Sequence, residues 1–561
     1  MRLPHRLAAF ALSAALVLGT SPRLHADAYN GTPKLVIILV FDQMRGDYLD
    51  RFRADFHAKN GWNLFLKQGA HYTDCYFDYA NLVTAAGHST IGTGSYTDGH
   101  GVPLNQWWQQ DRDGKLHEVT SVEDDRYTLV GPPAGTVLSP GASPKNLGAS
   151  TVGDELVLAT GGKARVYGIS FKDRASILAS GHASRAAFWT DHDSGMWETS
   201  TYWTNTLPAW ATAFNNGPRI AQARQQANVP KGAFYENVGR TPASVSYQLD
   251  FARALIEGEQ LGHNPDGATD LITLSISSTD ILGHGVGPDG PELRAMIDAA
   301  DGQLDAFFTF LDKSIGLQNV AVALTADHGV APIAAFANGV GMPVRSIPTR
   351  PMLDSVEQQL QARFKPSTKV KYVLGAEYPW LQIDPAPFTA QGISEADAET
   401  ATVDAIQTYF ALLPIDTKQA KGAPGERLPE PLHTKFAYTA TQLRTGAVPA
   451  TDEGRRELHS YSPLVRWAVH LNFAAYQYPG GDNGATHYSG FSYDRHVPLD
   501  FFGAAFKPGT YHGLVQPVDI AATLASILRI NQPSNSVGTV RTESMKPEPA
   551  TPATPLHRQA R

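Results

Sequence analysis

The placement of short apolar segments limits the fold of this chain more than any other feature. Several largely apolar segments run directly into charged residues. They comprise residues 35–41, 164–170, 271–277 and 319–325, which are followed by Asp42, by Lys172 and Arg174, by Asp280, and by Asp327 and His328. Apolar runs of this length are typical of parallel strands that are buried on both faces. We therefore predict parallel strands with charged residues at their carboxyl ends.

Helical patterns alternate with these strands. Residues 152–160, 245–259 and 292–314 carry apolar side chains at spacings of three and four, which is typical of amphipathic helices. The alternation predicts an α/β fold with a doubly wound, mostly parallel sheet and helices on both faces. Ligands of such sheets bind beyond the carboxyl ends of the strands, so the charged residues are expected to converge there.

The pattern changes after His328. Residues 335–475 contain Pro- and Gly-rich connections and a helical stretch at 395–413, and we interpret them as an insertion that forms a subdomain or cap. A strand at 497–506 and a helix at 518–527 then complete the main domain, which we assign to residues 27–532. Residues 533–561 read as a polar tail.

The first residues read as a signal peptide, residues 1–26. Arg2 and Arg6 flank an apolar run over residues 7–18, and Ala26 follows at a plausible cleavage point. The run is too short to span a bilayer, so we expect a periplasmic or secreted protein that is not in a membrane; a single anchoring helix is the alternative. Cleavage removes three arginines and no acids, which changes the net charge from −8 to −11 and argues against a nucleic-acid partner.

Cys75 is the only cysteine. An exported chain of this length therefore has no intrachain disulfide and depends on its core, and on any bound metals, for stability. The neighbours Asp74 and Tyr76 offer no positive charge to favour a thiolate, so we predict a packed thiol and not a nucleophile.

The acids and histidines suggest metal binding. Asp280 and His284 are four residues apart, so one helical turn would place them on one face. Asp327 and His328 are adjacent at a strand end, and His487 lies in a glycine-bearing loop. Carboxylates and imidazoles in these numbers suit zinc, and two ions would use them all. Taken singly, Asp280 and His284 could form a surface hydrogen bond, Lys172 and Arg174 a solvated charge pair, and Thr84 a helix cap.

The segments "FDQMRGDYL", "NLVTAAGHSTIGTG", "NQWW", "SFKDRA", "SSTDILGHGVGP", "TADHGVAP" and "GATHYSGFSYDRHVP" together resemble a known family. It comprises the exported alkaline phosphatases with a threonine nucleophile, the PafA and PhoK type of the alkaline phosphatase superfamily. The resemblance extends from Lys34 to about Pro498. It implies the alkaline-phosphatase-like fold and hydrolysis of phosphate monoesters through a covalent phosphothreonine, with release of inorganic phosphate.

The resemblance also implies roles for single residues. Thr84 matches the nucleophile, and Asn105, Lys172 and Arg174 match the groups that hold the phosphoryl oxygens. One zinc group corresponds to Asp42, Thr84, Asp327 and His328, and the other to Asp280, His284 and His487. We therefore expect two Zn²⁺ per subunit, no catalytic magnesium, and small phosphate monoesters with a broad range of leaving groups as substrates. The small residues after Thr84 would let the phosphoryl group approach the N-terminus of a helix.

Other interpretations remain open. A phosphodiesterase or nucleotide pyrophosphatase on the same fold is the nearest alternative, and a zinc- or phosphate-binding module without turnover is another. A sulfatase is disfavoured, because Cys75 lacks the Cys-x-Pro-x-Arg context. His496 could orient a metal ligand or be a structural histidine. Two further groups suit either a structural Ca²⁺ or a solvated loop: Asp191 with Asp193, and Asp482 with Asn483. The physiological substrate and the oligomeric state cannot be inferred.

Overall fold

The computed structural model describes residues 32–111, 113–131, 140–342, 345–413, 434–479 and 484–547. The predicted signal peptide, residues 1–26, and the pair Asp482 and Asn483 lie outside these ranges. The residues from Gly31 to Met545 form one compact unit. None of the described helices is long and apolar enough to cross a membrane.

The strands of the described residues follow one another along the chain as listed here. They are β1 (Leu35–Phe41), β2 (Ala70–Tyr72), β3 (Gln106–Gln110), β4 (Leu116–Thr120), β5 (Glu123–Val130), β6 (Pro140–Ala142), β7 (Val166–Ser170), β8 (Ala186–Thr190), β9 (Trp197–Ser200), β10 (Asp270–Ile276), β11 (Val320–Thr325), β12 (Arg345–Ile347), β13 (Val373–Glu377), β14 (Trp380–Ile383), β15 (Thr434–Thr439), β16 (Ala468–Phe473), β17 (Gln477–Pro479), β18 (Leu499–Phe502) and β19 (Gly509–Tyr511).

The α-helices of the described residues connect these strands. They are α1 (Tyr48–Arg51), α2 (Trp62–Gln68), α3 (Thr84–Thr93), α4 (Thr97–His100), α5 (Val152–Ala159), α6 (Asp173–Ser180), α7 (Ala209–Asn216), α8 (Arg219–Gln226), α9 (Phe234–Asn237), α10 (Pro242–Glu259), α11 (Ser278–Val286), α12 (Pro291–Ser314), α13 (Ala334–Gly339), α14 (Thr349–Phe364), α15 (Pro385–Thr389), α16 (Glu395–Leu412), α17 (Ala440–Thr445), α18 (Asp452–His459), α19 (Ser492–Arg495) and α20 (Asp519–Leu528).

A large sheet forms the centre of the fold. Its strand order is β19-β2-β18-β11-β1-β10-β7-β8-β9-β5-β6, and β11, β1, β10, β7 and β8 run parallel to one another. β1 is buried along its whole length, as expected for a strand covered on both faces. The predicted α/β fold with a large, mostly parallel central sheet is confirmed. Strand β18, which comes near the end of the chain, runs antiparallel to its neighbour β11.

The register of the parallel strands brings the predicted strand ends together. Phe41 of β1 is opposite Ile276 of β10, and Val40 is opposite Thr325 of β11. Ser275 of β10 is in turn opposite Ser170 of β7. Strands that end in register at one edge deliver the residues that follow them to the same place.

A second, smaller sheet lies within residues 349–473. Its strands β13, β14, β16 and β15 pair antiparallel in that order. Helices α14 and α16 contribute Met352, Val356, Ala401 and Ile406 to a buried cluster with Leu381 of β14. This part of the chain, which falls inside the predicted insertion at 335–475, therefore has a hydrophobic core of its own.

The described part of the predicted tail packs against the main body. Residues of the predicted tail contact the main body as far as the structure describes them: Asn535 donates a hydrogen bond to Gly99 O at 2.7 Å, and Thr539 N donates to Asp519 Oδ1 at 2.7 Å.

Cys75 is free and buried, and burial raises the pKa of its thiol well above the usual range, which agrees with a packed structural thiol.

Candidate active site

Helix α3 brings Thr84 to the carboxyl edge of the sheet. The helix begins at Thr84, after Val83 in an extended conformation, and every residue of it is buried. A methyl group at Gly87 would lie 2.2 Å from Asp327 O, and one at Gly92 would lie 2.7 Å from Ala179 O. These two glycines therefore allow close packing of α3 against other backbone.

Two groups of side chains could each hold a metal ion. The ligand atoms within each group lie within 4.8 Å of one another. One group consists of Asp42, Asp327 and His328, and the other of Asp280, His328 and His487. His284 lies beside the second group, with Nε2 3.1 Å from Asp280 Oδ1. The structure thus brings together the predicted carboxylate and histidine ligands, and His328 belongs to both groups.

The first group contains buried polar atoms that lack hydrogen-bond partners among the described residues. These atoms are Asp42 Oδ1, Asp327 Oδ2 and His328 Nε2. Burial, followed by the charge of Asp327, raises the pKa of Asp42 well above its usual range. Unpaired buried acceptors are costly, and a cation among them would satisfy all three atoms. The donor set of two carboxylates and an imidazole fits zinc.

The histidines are held by backbone carbonyls so that Nε2 faces the carboxylates. The Nδ1 atoms of His284, His328 and His487 lie 2.9 Å from Ala485 O, 3.0 Å from Gly329 O and 2.6 Å from Leu82 O. A carbonyl can only accept, so each Nδ1 carries a proton, and Nε2 is the ring nitrogen that remains to bind a metal ion. This orientation is the one that metal-binding histidines require.

Lys172 lies between the two groups. Its Nζ donates to Asp42 Oδ2 at 2.7 Å and to Asp280 Oδ2 at 2.5 Å, and it is 3.4 Å from Thr84 Oγ1. Burial would lower the pKa of Lys172, but Asp280 and Asp42 raise it above its usual value. The same ammonium, with His284 and His487, holds the pKa of Asp280 well below its usual range despite burial. One cation therefore touches both carboxylate groups and the threonine.

Asn105 contacts the first turn of α3, and Arg174 lies in the first turn of α6. Asn105 Oδ1 accepts a hydrogen bond from Ala85 N at 3.0 Å, which leaves its Nδ2 group as a donor. Arg174 lies 3.7 Å from Asp173 through Nη1, and its Nε is buried without a hydrogen-bond partner in the described part of the chain. Both side chains can therefore donate to an anion.

The contacts of His496, and those of the candidate calcium group Asp191 and Asp193, distinguish a functional role from a structural one. His496 Nε2 lies 3.0 Å from Thr73 O, and its ring stacks on Tyr76 with centroids 4.5 Å apart. These contacts favour a structural histidine. Asp191 Oδ1 accepts from Ser194 N and Oγ at 2.8 and 2.5 Å, whereas the Asp193 side chain is 89% exposed, which favours an ordinary turn.

Two contributors were missed by the sequence reasoning. Gln43 N donates to Asp327 Oδ1 at 3.1 Å, and its Nε2 donates to Asp280 Oδ1 at 2.7 Å. Asp494 Oδ2 accepts from Tyr488 N, Ser489 N and Ser489 Oγ at 3.1, 3.0 and 2.6 Å. The position of Gln43 directly after Asp42 was a usable signal for the first. Asp494 was visible in the segment "SYDRHVP" but only as part of a motif.

Asp494 connects two loops that carry histidines of the site. Its carboxylate holds the residues after His487, and its carbonyl accepts from Gly329 N, next to His328, at 2.6 Å. We expect Asp494→Ala to weaken metal retention by roughly 10- to 100-fold, as for other groups that orient metal ligands. Metal content after dialysis and the zinc concentration for half-reactivation measure this. Asp494→Asn keeps an acceptor and should lie between; normal metal retention by Asp494→Ala would contradict the assignment.

Comparison with known proteins supports the resemblance. The family model for type I phosphodiesterase / nucleotide pyrophosphatase matches residues 36–378. The alkaline phosphatase PafA of Elizabethkingia meningoseptica is 31% identical over 94% of this chain and 97% of its own. A Myroides odoratus protein named calcium-transporting ATPase is 30% identical over 92% of this chain and 95% of its own.

A solved structure agrees with these sequence matches. The crystal structure of wild-type alkaline phosphatase PafA superposes with a TM-score of 0.77 at 29% identity, covering 92% of this chain and 99% of that one. The resemblance inferred from the motifs is confirmed. The chain therefore belongs to the type I phosphodiesterase / nucleotide pyrophosphatase family, in the group that includes the alkaline phosphatase PafA.

Proposed function

We propose that the protein is an alkaline phosphatase that hydrolyses phosphate monoesters and releases inorganic phosphate. The observation that carries this proposal is the position of Lys172 Nζ, which contacts Asp42, Asp280 and Thr84 within 3.4 Å. A hydroxyl, a cation and both candidate metal groups thus meet at one point. The relative that is named alkaline phosphatase PafA supports the same activity.

The metal groups fit two zinc ions. Asp42, Asp327 and His328 would hold one ion together with Thr84, and Asp280, His284 and His487 would hold the other. When bound, zinc supplies positive charge that lowers the pKa of a hydroxyl and stabilises negative oxygen atoms. The unpartnered atoms Asp42 Oδ1, Asp327 Oδ2 and His328 Nε2 support this assignment.

Thr84 is the proposed nucleophile. Its Oγ1 forms a bond to phosphorus as the bond between phosphorus and the ester oxygen breaks, and the departing alcohol takes up a proton. Water then forms a bond to phosphorus, the bond to Thr84 breaks, and inorganic phosphate leaves as Thr84 regains its proton. The phosphothreonine between these steps is the covalent intermediate that the resemblance implies.

The phosphoryl oxygens would be held by three donor side chains beside the metal groups. Arg174 offers a planar fork of donors, Asn105 offers its Nδ2 group, and Lys172 offers a point charge. The amides at the N-terminus of α3 add positive potential. A monoester dianion presents three charged oxygens in a loose transition state, so charge stabilisation and positioning are the main tasks.

The proposal also covers export, the domain bounds and the range of substrates. Residues 1–26 direct export to the periplasm or beyond, residues 27–532 form the catalytic domain, and residues 335–475 form its cap. Residues 533–561 are a C-terminal extension. Substrates are small phosphate monoesters with a broad range of leaving groups, because the residues assigned to binding address the phosphoryl group.

A phosphodiesterase is the second candidate, because the matched family model is named for type I phosphodiesterases. A diester carries one negative charge and two free phosphoryl oxygens. It has less use for both Lys172 and Arg174, and it needs room for a second ester group. The monoesterase proposal therefore rests on Lys172, which contacts Thr84, and on Arg174, which lines the same cavity as Lys172.

Removal of metal should abolish activity. We expect treatment with a chelator to lower hydrolysis of para-nitrophenyl phosphate by roughly 10³-fold or more, because a metal-activated hydroxyl and its charge stabilisation are lost together. Zinc added back should restore the rate, with magnesium and calcium as the matched additions. Full activity of a chelated protein shown to be metal-free would contradict the zinc assignment.

A further inference from the structure

A cavity of about 510 Å³ adjoins the proposed phosphoryl site, and we call it the side cavity. Lys172 and Arg174 belong to its lining, and so do Asp191, Glu198, Trp189 and Tyr235. Lys172 follows β7, whereas Asp191 follows β8 and Glu198 lies on β9, one and two strands further along the sheet. Lys172 and Arg174, with Asp173 between them, therefore line one end of the cavity, and the acidic side chains of Asp191 and Glu198 line it further along the edge of the sheet.

Glu198 is a buried carboxylate in the lining of the side cavity. It is 6% exposed, and its Oε1 accepts a hydrogen bond from Trp189 Nε1 at 2.8 Å. Its Oε2 is buried and has no hydrogen-bond partner among the described residues. Burial, with added repulsion from Asp191 and Asp173, raises the pKa of Glu198 to about 7 although the Trp189 hydrogen bond opposes the rise. A positive charge in the cavity would stabilise the ionised carboxylate.

The aromatic side chains of the lining also favour a positively charged group. Tyr235 stacks on His192 with centroids 5.1 Å apart, and Trp189 is fixed by its hydrogen bond to Glu198 and by an edge contact with Trp203. Aromatic rings next to carboxylates attract ammonium groups through their negative faces. The phosphoryl end of the cavity has the opposite preference, because Lys172 and Arg174 line it.

We propose that the side cavity receives the alcohol portion of the substrate and favours phosphate monoesters whose alcohol carries an ammonium group. The proposal rests on the proposed function. The phosphoryl dianion lies against Arg174 and Lys172, and the ammonium group lies near Glu198 and Asp191. A cavity of about 510 Å³ is within the range of small-molecule sites, roughly 300–1,000 Å³.

The test compares two esters of equal size, 2-aminoethyl phosphate and n-propyl phosphate. The amine also changes the intrinsic reactivity of the ester, so the diagnostic quantity is the ratio of the two kcat/KM values in wild type against variants. We expect Glu198→Gln, which keeps an acceptor for Trp189, to lower this ratio by about ten-fold, the effect of one charge-assisted hydrogen bond. Asp191→Asn should lower it in the same direction.

The controls separate this proposal from the proposed function. Glu236→Gln removes a nearby carboxyl that pairs with His192 Nε2 at 2.5 Å, and it should leave the ratio unchanged. Turnover of para-nitrophenyl phosphate should persist in all three variants and shows that each is folded. An unchanged ratio in both Glu198→Gln and Asp191→Asn, or an equal loss for both esters, would overturn the side-cavity proposal. Absence of para-nitrophenyl phosphate turnover in wild type would instead overturn the proposed function.

Discussion

Replacement of Thr84 by alanine is expected to lower kcat/KM for para-nitrophenyl phosphate by roughly 10⁴-fold or more, the scale seen when a catalytic nucleophile is removed. Thr84 is 2% exposed and begins α3. Its Oγ1 lies 3.4 Å from Lys172 Nζ and makes no hydrogen bond to a helical amide among the described residues, so the loss would not come from the helix. The measurement is steady-state hydrolysis at alkaline pH.

Two controls make the Thr84 result specific. Thr84→Ser keeps the hydroxyl and should retain most of the activity, and the zinc content of Thr84→Ala should show whether the metal groups remain intact. Trapping experiments with a labelled monoester should place phosphate on Thr84 in wild type. Substantial turnover by Thr84→Ala would show that water attacks directly and that the covalent step is wrong.

Replacement of Arg174 by alanine is expected to lower kcat/KM for a phosphate monoester by about 10²- to 10³-fold, as for other preorganised donors to transition-state charge. Its effect on a diester should be much smaller, because a diester offers fewer charged oxygens. Arg174 is a cleaner probe than Lys172, whose ammonium also bonds to Asp42 and Asp280. Removing Lys172 would disturb the metal groups as well as the substrate site.

Arg174→Lys is the matched control for the alanine variant. It keeps the charge but loses the fork of donors, so we expect an intermediate monoester rate. The quantity to report is the ratio of monoester to diester kcat/KM in each variant. Equal losses for both substrates would mean that Arg174 maintains the structure and does not recognise the dianion.

The centre of the fold was readable from the sequence because its strands are buried on both faces. β1 is an uninterrupted apolar run, so its end at Asp42 was visible without any knowledge of its neighbours. The Asp280 and His284 pair was readable for a similar reason, since α11 places residues four apart on one face. Local periodicity carries this kind of information directly.

Other parts depend on contacts between residues that are remote in sequence. His487 Nδ1 meets Leu82 O across 405 residues, and Asp494 holds the loop after His487 while its carbonyl reaches Gly329. No periodicity marks such pairs. The close packing of Gly87 against the backbone of Asp327 could not be foreseen for the same reason.

The most direct test of the central claim is the ratio of kcat/KM for para-nitrophenyl phosphate to that for bis-para-nitrophenyl phosphate, measured on the zinc-loaded wild-type protein at alkaline pH. The proposed site predicts a strong preference for the monoester, because Lys172 contacts Thr84 and lines a cavity with Arg174, so that two cations can receive a dianion. A preference for the diester would contradict that assignment and identify the protein as a phosphodiesterase.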